Sequence, residues 1–227
     1  MLDAARLSVW AVIVAAGRGE RLGLGRPKAF ANLRGRPLLA ESLERLEASG
    51  WVDAIVVAAP PEWEEPVILL AEELGCGKVV AAVPGAETRA GSVRAGLAEV
   101  SEDAAVVLVH DAARPVLPEE VIERVLSALN EGWDGAIPVV PLTDTVKRVE
   151  GEQVVETLSR DALACAQTPQ AFVASVLRAA VEAAGEATDC SALVEAAGGR
   201  VKAVPGDARL VKVTDAADLA KVSALLE

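Results

Sequence analysis

Tyrosine is absent from this 227-residue chain, aromatic residues amount to 3 %, and histidine occurs once, at His110. So few rings argue against a stacking platform for single-stranded nucleic acid. One imidazole excludes a multi-histidine metal site. The three cysteines, Cys76, Cys165 and Cys190, are odd in number and form no C-x-x-C pair. A disulfide framework and a thiolate zinc site are therefore not expected, and a reducing compartment is. No apolar run approaches the ~20 residues that a membrane span needs. The short apolar stretch Val9–Ala16 runs straight into Gly17-Arg18-Gly19, which is not the form of a signal peptide. The expectation is a cytoplasmic protein with no membrane partner.

Positive charge is scarce as well. Lys and Arg number 22 against 34 Asp and Glu, a net charge of −12. An acidic surface repels phosphate backbones, so a nucleic-acid partner is not expected either. The imbalance is uneven, however. Between Gly17 and Arg36 six basic residues (Arg18, Arg21, Arg26, Lys28, Arg34, Arg36) face the single acid Glu20, so this stretch carries +5 and the remainder −17.

What is abundant is apolar and periodic. Val9–Val14 is a β-branched run that stops at glycines, as a buried parallel strand does. Further strands are predicted at Val52–Ala59, Lys78–Val83, Ala104–Val109 and Gly135–Val140. Between them lie helical patterns over Pro37–Ser49, Glu62–Leu74, Thr88–Val100 and Pro118–Asn130. This alternation predicts right-handed βαβ units and one α/β domain over residues 1–227, a Rossmann-like, mostly parallel sheet flanked by helices. The rhythm then breaks. Thr145–Val149 and Gln153–Leu158, short and half polar around Gly151, read as a hairpin arm projecting from the sheet, at about residues 143–160. Beyond it come helices near Val173–Ala184 and Asp189–Ala197, strands near Arg200–Val204 and Arg209–Val213, and a last helix over Ala216–Leu226.

Ligands of open α/β sheets sit at the carboxyl ends of the strands, and there the Gly, Arg, Asp and hydroxyl residues gather. The first such loop, Ala15 to Gly23 with Arg26-Pro27-Lys28 behind it, has small residues whose backbone N–H groups can approach phosphate oxygens. Arg18, Arg21 and Lys28 add cations suited to a polyphosphate whose charge grows during reaction. Gly17, Gly19 and Gly23 miss the dinucleotide fingerprint by one residue, and no acid follows the second strand; no GK[ST] completes a P-loop. Asp111 directly follows the fourth strand, where a carboxylate can help hold Mg²⁺ or a polar substrate group, or else cap a following helix. His110 beside it points to the opposite strand face, and no G-x-S-x-G elbow supplies a nucleophile. A structural histidine is expected.

Taken in order, AAGRGERLG with the following PK, ETRAGSV, VHDAARP, DTVKR, QTPQAF at Gln167–Phe172, TDCSAL at Thr188–Leu193 and VKVT at Val211–Thr214 closely resemble the 2-C-methyl-D-erythritol 4-phosphate cytidylyltransferases of the non-mevalonate isoprenoid route. The resemblance implies transfer of a cytidylyl group from CTP to the methylerythritol phosphate, with Mg²⁺ and without a covalent nucleophile. It implies that Arg21 and Lys28 stabilise the transition state and that Arg160 and Lys212 position the attacking phosphate. Ala15, Ala16, Gly17, Arg18, Arg89 and Ser92 fall at the CTP-binding positions. Asp111, Arg114, Thr145, Thr168 and Thr188 fall at substrate-side contacts; Asp111 is the one candidate for the metal. It further implies a homodimer that exchanges its arms, lending Thr145 and Arg160 to the neighbouring site. The sequence departs from the family pattern at Gly85-Ala86-Glu87-Thr88, where Gly-Asp is common, and at Cys190, where an acid is usual. A ribitol 5-phosphate cytidylyltransferase and a non-catalytic nucleotide-binding module are the alternatives.

Overall fold

The computed structural model describes residues 7–17, 19, 22–23, 25–183, 187 and 189–226. Its strands are β1 (Val9–Val14), β2 (Asn32–Leu33), β3 (Arg36–Pro37), β4 (Ala54–Ala59), β5 (Val79–Pro84), β6 (Val106–Asp111), β7 (Gly135–Pro141), β8 (Val146–Glu150), β9 (Gln153–Leu158), β10 (Ala164–Ala166), β11 (Gln170–Val173) and β12 (Val201–Pro205). Its α-helices are α1 (Leu38–Ala48), α2 (Glu64–Glu73), α3 (Arg89–Ala98), α4 (Glu119–Asn130), α5 (Ala174–Ala183), α6 (Cys190–Ala196) and α7 (Ala216–Leu225). Among the described residues no helix is long and apolar enough to cross a membrane.

The central strands run parallel in the order β5-β4-β1-β6. β11 follows antiparallel to β6 and also pairs with β7, and β12 pairs parallel with β7. Every residue of β4 and β6 is buried, as a strand covered on both faces must be. Side chains alternate between the two faces. Ala11, Ile13 and Leu108 pack with Leu43 of α1, Val67 of α2 and Ile122 of α4. Val12, Val107 and Phe172 pack on the opposite face with Val93 of α3, Leu177 of α5 and Leu193 of α6. β8 and β9 form a two-stranded sheet of their own, which is the arm read from the sequence.

Four strands carry the site. In register, Val14 lies beside Ala58 and Asp111, and Ala59 lies beside Pro84. The carboxyl ends of β1, β4, β5 and β6 thus form one rim. The direction in which strands are added reverses between β1 and β6, the switch point where a crevice opens in such sheets.

One expectation needs correction, and one buried strand stands where none was predicted. No strand forms over Arg209–Val213; residues 206–215 contain neither helix nor strand. The Asp207 carboxylate accepts hydrogen bonds from the Arg209 backbone and guanidinium, and the Leu210 N–H donates to the Asp207 carbonyl at 3.1 Å, so the chain turns there. Leu210 and Val213 are both fully buried, three residues apart rather than alternating. Conversely, Gln170–Val173 is a buried strand wedged between β6 and β7, which its four residues do not announce.

Candidate active site

Behind the rim lies an open cavity of about 1320 Å³. The β1 loop, the β5–α3 loop, the end of β6 and the residue 212 region all line it, together with Pro60, Pro61 and Trp63. In the first loop, Gly19 has a positive φ of 68°, and a Cβ there would sit 2.8 Å from the Lys28 Cβ. Glycine lets the loop fold back against Lys28. Lys28 opens a short 3₁₀ turn (Lys28–Phe30), and its ammonium donates to the Val213 carbonyl at 3.2 Å. That bond ties the first loop to the segment bearing Lys212. Arg18, Arg21 and Thr188 lie outside the described residues.

In the β5–α3 loop, the side chain of Thr88 caps α3 by accepting from the Gly91 N–H. The Ser92 hydroxyl accepts from the Ala86 N–H at 3.0 Å and lies 3.0 Å from the Thr88 carbonyl, to which it can donate. Ser92 is buried and fixes the loop's turn. A Cβ on Gly85 would collide with that of Ala16 and come within 3.0 Å of the Ala59 carbonyl. The two loops therefore approach each other closely only because that residue is glycine.

At the end of β6, Asp111 sits between two cations. Arg89 Nε donates to Oδ1 at 3.0 Å and Lys212 Nζ to Oδ2 at 2.8 Å. Burial alone would raise the Asp111 carboxyl, but Arg89 and then Lys212 outweigh it and hold the group well below the usual carboxylate range. Both oxygens are engaged, and no helix begins until Glu119, so Asp111 is not an N-cap. Among the described residues no group of three His, Cys, Asp or Glu side chains could hold a metal. A lone carboxylate already neutralised by two cations does not fit a metal ligand.

His110 is fully buried on the other face. Its Nε2 lies 3.1 Å from the Arg114 carbonyl, which can only accept, so Nε2 carries the proton. Nδ1 is then an acceptor for the Thr168 hydroxyl at 3.1 Å, and that hydroxyl accepts from the Asp111 N–H at 3.1 Å. Burial lowers the imidazole to a pKa of about 4. It is a neutral structural group, as expected.

The cavity wall brings together Ala15, Ala16, Gly17, Lys28, Arg89, Ser92, Asp111 and Lys212 of the residues singled out from the sequence. It does not include Arg114, whose guanidinium donates to the carbonyls of Leu210 (2.6 Å) and Ala166 (3.2 Å), or Thr168, which is buried. Thr145 and Arg160 stand exposed on the arm side, with the Arg160 guanidinium bonded to the Thr143 carbonyl. Cys190 is buried, its thiol pushed up by burial, and its Sγ accepts from Arg89 Nη1 at 3.3 Å. Sequence reasoning missed the apolar wall. Trp63 packs on Phe30 with ring centroids 4.4 Å apart, and the only hint was the position of Pro60-Pro61 at a strand's carboxyl end.

A family profile described as 2-C-methyl-D-erythritol 4-phosphate cytidylyltransferase matches residues 9–227. The chain belongs to that family. Among family members, the 2-C-methyl-D-erythritol 4-phosphate cytidylyltransferase of Frankia casuarinae is 48 % identical over 99 % of this chain and 84 % of its own. That of Saccharopolyspora erythraea is 46 % identical over 97 % of this chain and all of its own. A crystal structure of a 4-diphosphocytidyl-2C-methyl-D-erythritol synthase superposes with a TM-score of 0.82 at 33 % identity, covering 97 % of this chain and 99 % of the other. The 2-C-methyl-D-erythritol 4-phosphate cytidylyltransferase of Thermus thermophilus does so with 0.78 at 34 %, covering 95 % and 97 %. The family's α/β architecture, with its mostly parallel sheet, is the one this chain adopts.

Proposed function

We infer that the chain catalyses cytidylyl transfer from CTP to 2-C-methyl-D-erythritol 4-phosphate, giving 4-diphosphocytidyl-2-C-methyl-D-erythritol and pyrophosphate. The observation that carries this reading, within a chain of this family, is the cation cluster on one cavity wall: Arg89 and Lys212 on Asp111, with Lys28 on the carbonyl beside Lys212. An oxygen of the substrate phosphate attacks the α-phosphorus of CTP. The bond to the bridging oxygen breaks, and its electron pair leaves with pyrophosphate. No protein nucleophile is required, and His110 and Cys190, which lie outside the cavity wall, are buried. Catalysis then rests on positioning and on cations facing the developing charge. In this reading Lys28 and Arg21 would stabilise the charge on the α-phosphate and leaving group, while Lys212 and a partner's arm Arg160 would orient the attacking phosphate. Ala15, Ala16 and Gly17 offer backbone to the nucleotide. Mg²⁺ is the expected cofactor; it usually stays on the substrate phosphates and takes few protein ligands.

We also propose that the protein works as a cytoplasmic homodimer through its arm. The solitary β8–β9 hairpin exposes Val149, Val154 and Val155, and an isolated two-stranded hairpin is only marginally stable in water. A second copy would cover those valines and receive Thr145 and Arg160. The test of function is pyrophosphate release with Mg²⁺. Release only when CTP and methylerythritol phosphate are both present is expected. Faster turnover of ribitol 5-phosphate, or equal use of UTP, would overturn the assignment. For the arm, inactive Lys28→Ala and Arg160→Ala proteins mixed together should recover activity; no recovery counts against exchange.

A further inference from the structure

Lys212 sits on the segment 206–215, which has no regular secondary structure. A cation on such a segment keeps its place only if something else fixes the backbone. We propose that Gln167 is a positioning residue: its buried side-chain amide locks the start of this segment and so sets Lys212 against Asp111. The proposal rests on the cytidylyltransferase reading for the role of Lys212, and on geometry alone for the lock.

Gln167 is buried and lies outside the cavity wall. Its Nε2 donates to the Asp207 carbonyl at 2.9 Å, and its Oε1 accepts from the Asp207 N–H at 3.0 Å. The side chain thus pairs with one residue's backbone as a neighbouring strand would. β7 anchors both partners: the Gln167 N–H donates to the Pro138 carbonyl and the Gly206 N–H to the Val139 carbonyl, each at 2.8 Å. Gly206 is part of the lock. A Cβ there would collide with Gln167 Oε1 and stand 2.9 Å from the Val139 carbonyl. From this fixed point the segment runs through buried Leu210 to Val213, whose N–H donates to the Ala113 carbonyl at 2.8 Å. Lys212 is held between the two ends.

Neighbouring side chains act in the same way on other parts of the site. The Thr168 hydroxyl holds the Asp111 N–H. Gln170 Oε1 accepts from the Cys190 N–H at 3.2 Å, and its Nε2 donates to Asp189 Oδ2 at 3.2 Å, fixing the start of α6. One short stretch therefore grips three site-bearing segments without lining the cavity.

The test is a double-mutant cycle with Gln167→Met and Lys212→Ala in the full chain, with activity normalised to folded protein. Gln167→Met should lower kcat/KM for the polyol phosphate roughly tenfold or more, the scale of a misplaced positioning group. KM for CTP should stay within about twofold. On the Lys212→Ala background the same change should cost less than about twofold, since residues acting through one another are not additive. Gly206→Ala should reproduce the effect while keeping Gln167. Equal losses on both backgrounds would overturn the proposal. A second readout needs no substrate. Acylation of Lys212 by an amine-reactive reagent, followed by mass spectrometry, should run faster in Gln167→Met and Gly206→Ala, and unchanged labelling in both would refute the lock even if the enzyme reading fails.

Discussion

The single histidine gives a clean measure of how this site is built. His110 is fully buried, and its pKa falls from 6.5 to about 4. Burial is the main cause. Asp111 and the bond to the Arg114 carbonyl push the other way, while the charges of Arg114 and Arg89 assist the lowering. When the chain unfolds, the imidazole regains its ordinary affinity for a proton. Below pH 6.5 the unfolded state therefore binds a proton that the folded state refuses, and stability falls with falling pH until the folded value near 4 is passed. The full effect is present above about pH 7. Between about pH 7.5 and 4.5 the loss works out at roughly 2 to 3 kcal/mol, with a steepest slope of about 1.2 kcal/mol per pH unit. Asp111, held low, acts in the same direction only as pH drops below its unfolded value of 3.8, so the window above about 4.5 belongs largely to the histidine.

The assay is chemical denaturation at fixed protein concentration across that window, for the wild type and His110→Gln. The variant will be less stable at every pH, because Thr168 and the Arg114 carbonyl lose their partner. The prediction concerns the slope, which should flatten in His110→Gln. NMR of the lone imidazole should show a proton on Nε2 and no titration between about pH 5 and 8, the range in which an ordinary histidine changes charge. A native imidazole that titrates at its ordinary value, or two proteins that lose stability in parallel, would refute the reasoning.

Lys28→Ala should lower kcat roughly 100-fold, the scale for removing one donor that faces developing charge, with little change in Tm; an unchanged kcat would remove Lys28 from the chemistry. Gly135→Ala places a Cβ 2.5 Å from the ring of fully buried Phe172, and unfolding experiments should show a loss of about 1 to 3 kcal/mol from overpacking. Asp111→Asn leaves Arg89 and Lys212 without their shared counter-charge. Activity should fall steeply, and the midpoint of acid unfolding should move to higher pH in the variant, because the stability that the still-ionised carboxylate supplies below about pH 4 is gone.

The strands β1, β4 and β6 were legible because they are buried on both faces, and continuous apolar runs such as Ala54–Ala59 have no other reading in an alternating pattern. Gln170–Val173 was not. Its two neighbours, β6 and β7, are distant in sequence, and only the slot between them makes it a strand. Arg209–Val213 misled for the opposite reason: a few mixed apolar and basic residues look β-prone, but the Asp207–Arg209 turn and the spacing of Leu210 and Val213 decide otherwise. In the site, the positions of charged residues at strand ends were readable, whereas their direction was not. The resemblance places Arg114 and Thr168 at substrate-side contacts; in the structure Arg114 donates to the carbonyls of Leu210 and Ala166, and the Thr168 hydroxyl accepts from the Asp111 N–H. Gln167 opens a motif, but its task was not readable there, because an amide that pairs with a remote backbone resembles any other glutamine.

An acidic protein that binds polyanions has to keep its few cations where they count. Cations free on a surface would be held loosely by solvent, and ordering them would cost rotamer entropy at each binding event. Here the ordering precedes the ligand. Asp111 fixes one end of Arg89 and of Lys212, and the Val213 carbonyl fixes Lys28. Arg89 and Lys212 each carry further N–H groups that their bonds to Asp111 do not use. An arriving phosphate thus meets cations already aimed, and meets them beside a carboxylate that repels it from sitting too deep. The same acid that assembles the cations sets the limit of the pocket, which is why a single negative charge belongs at the centre of the basic cluster.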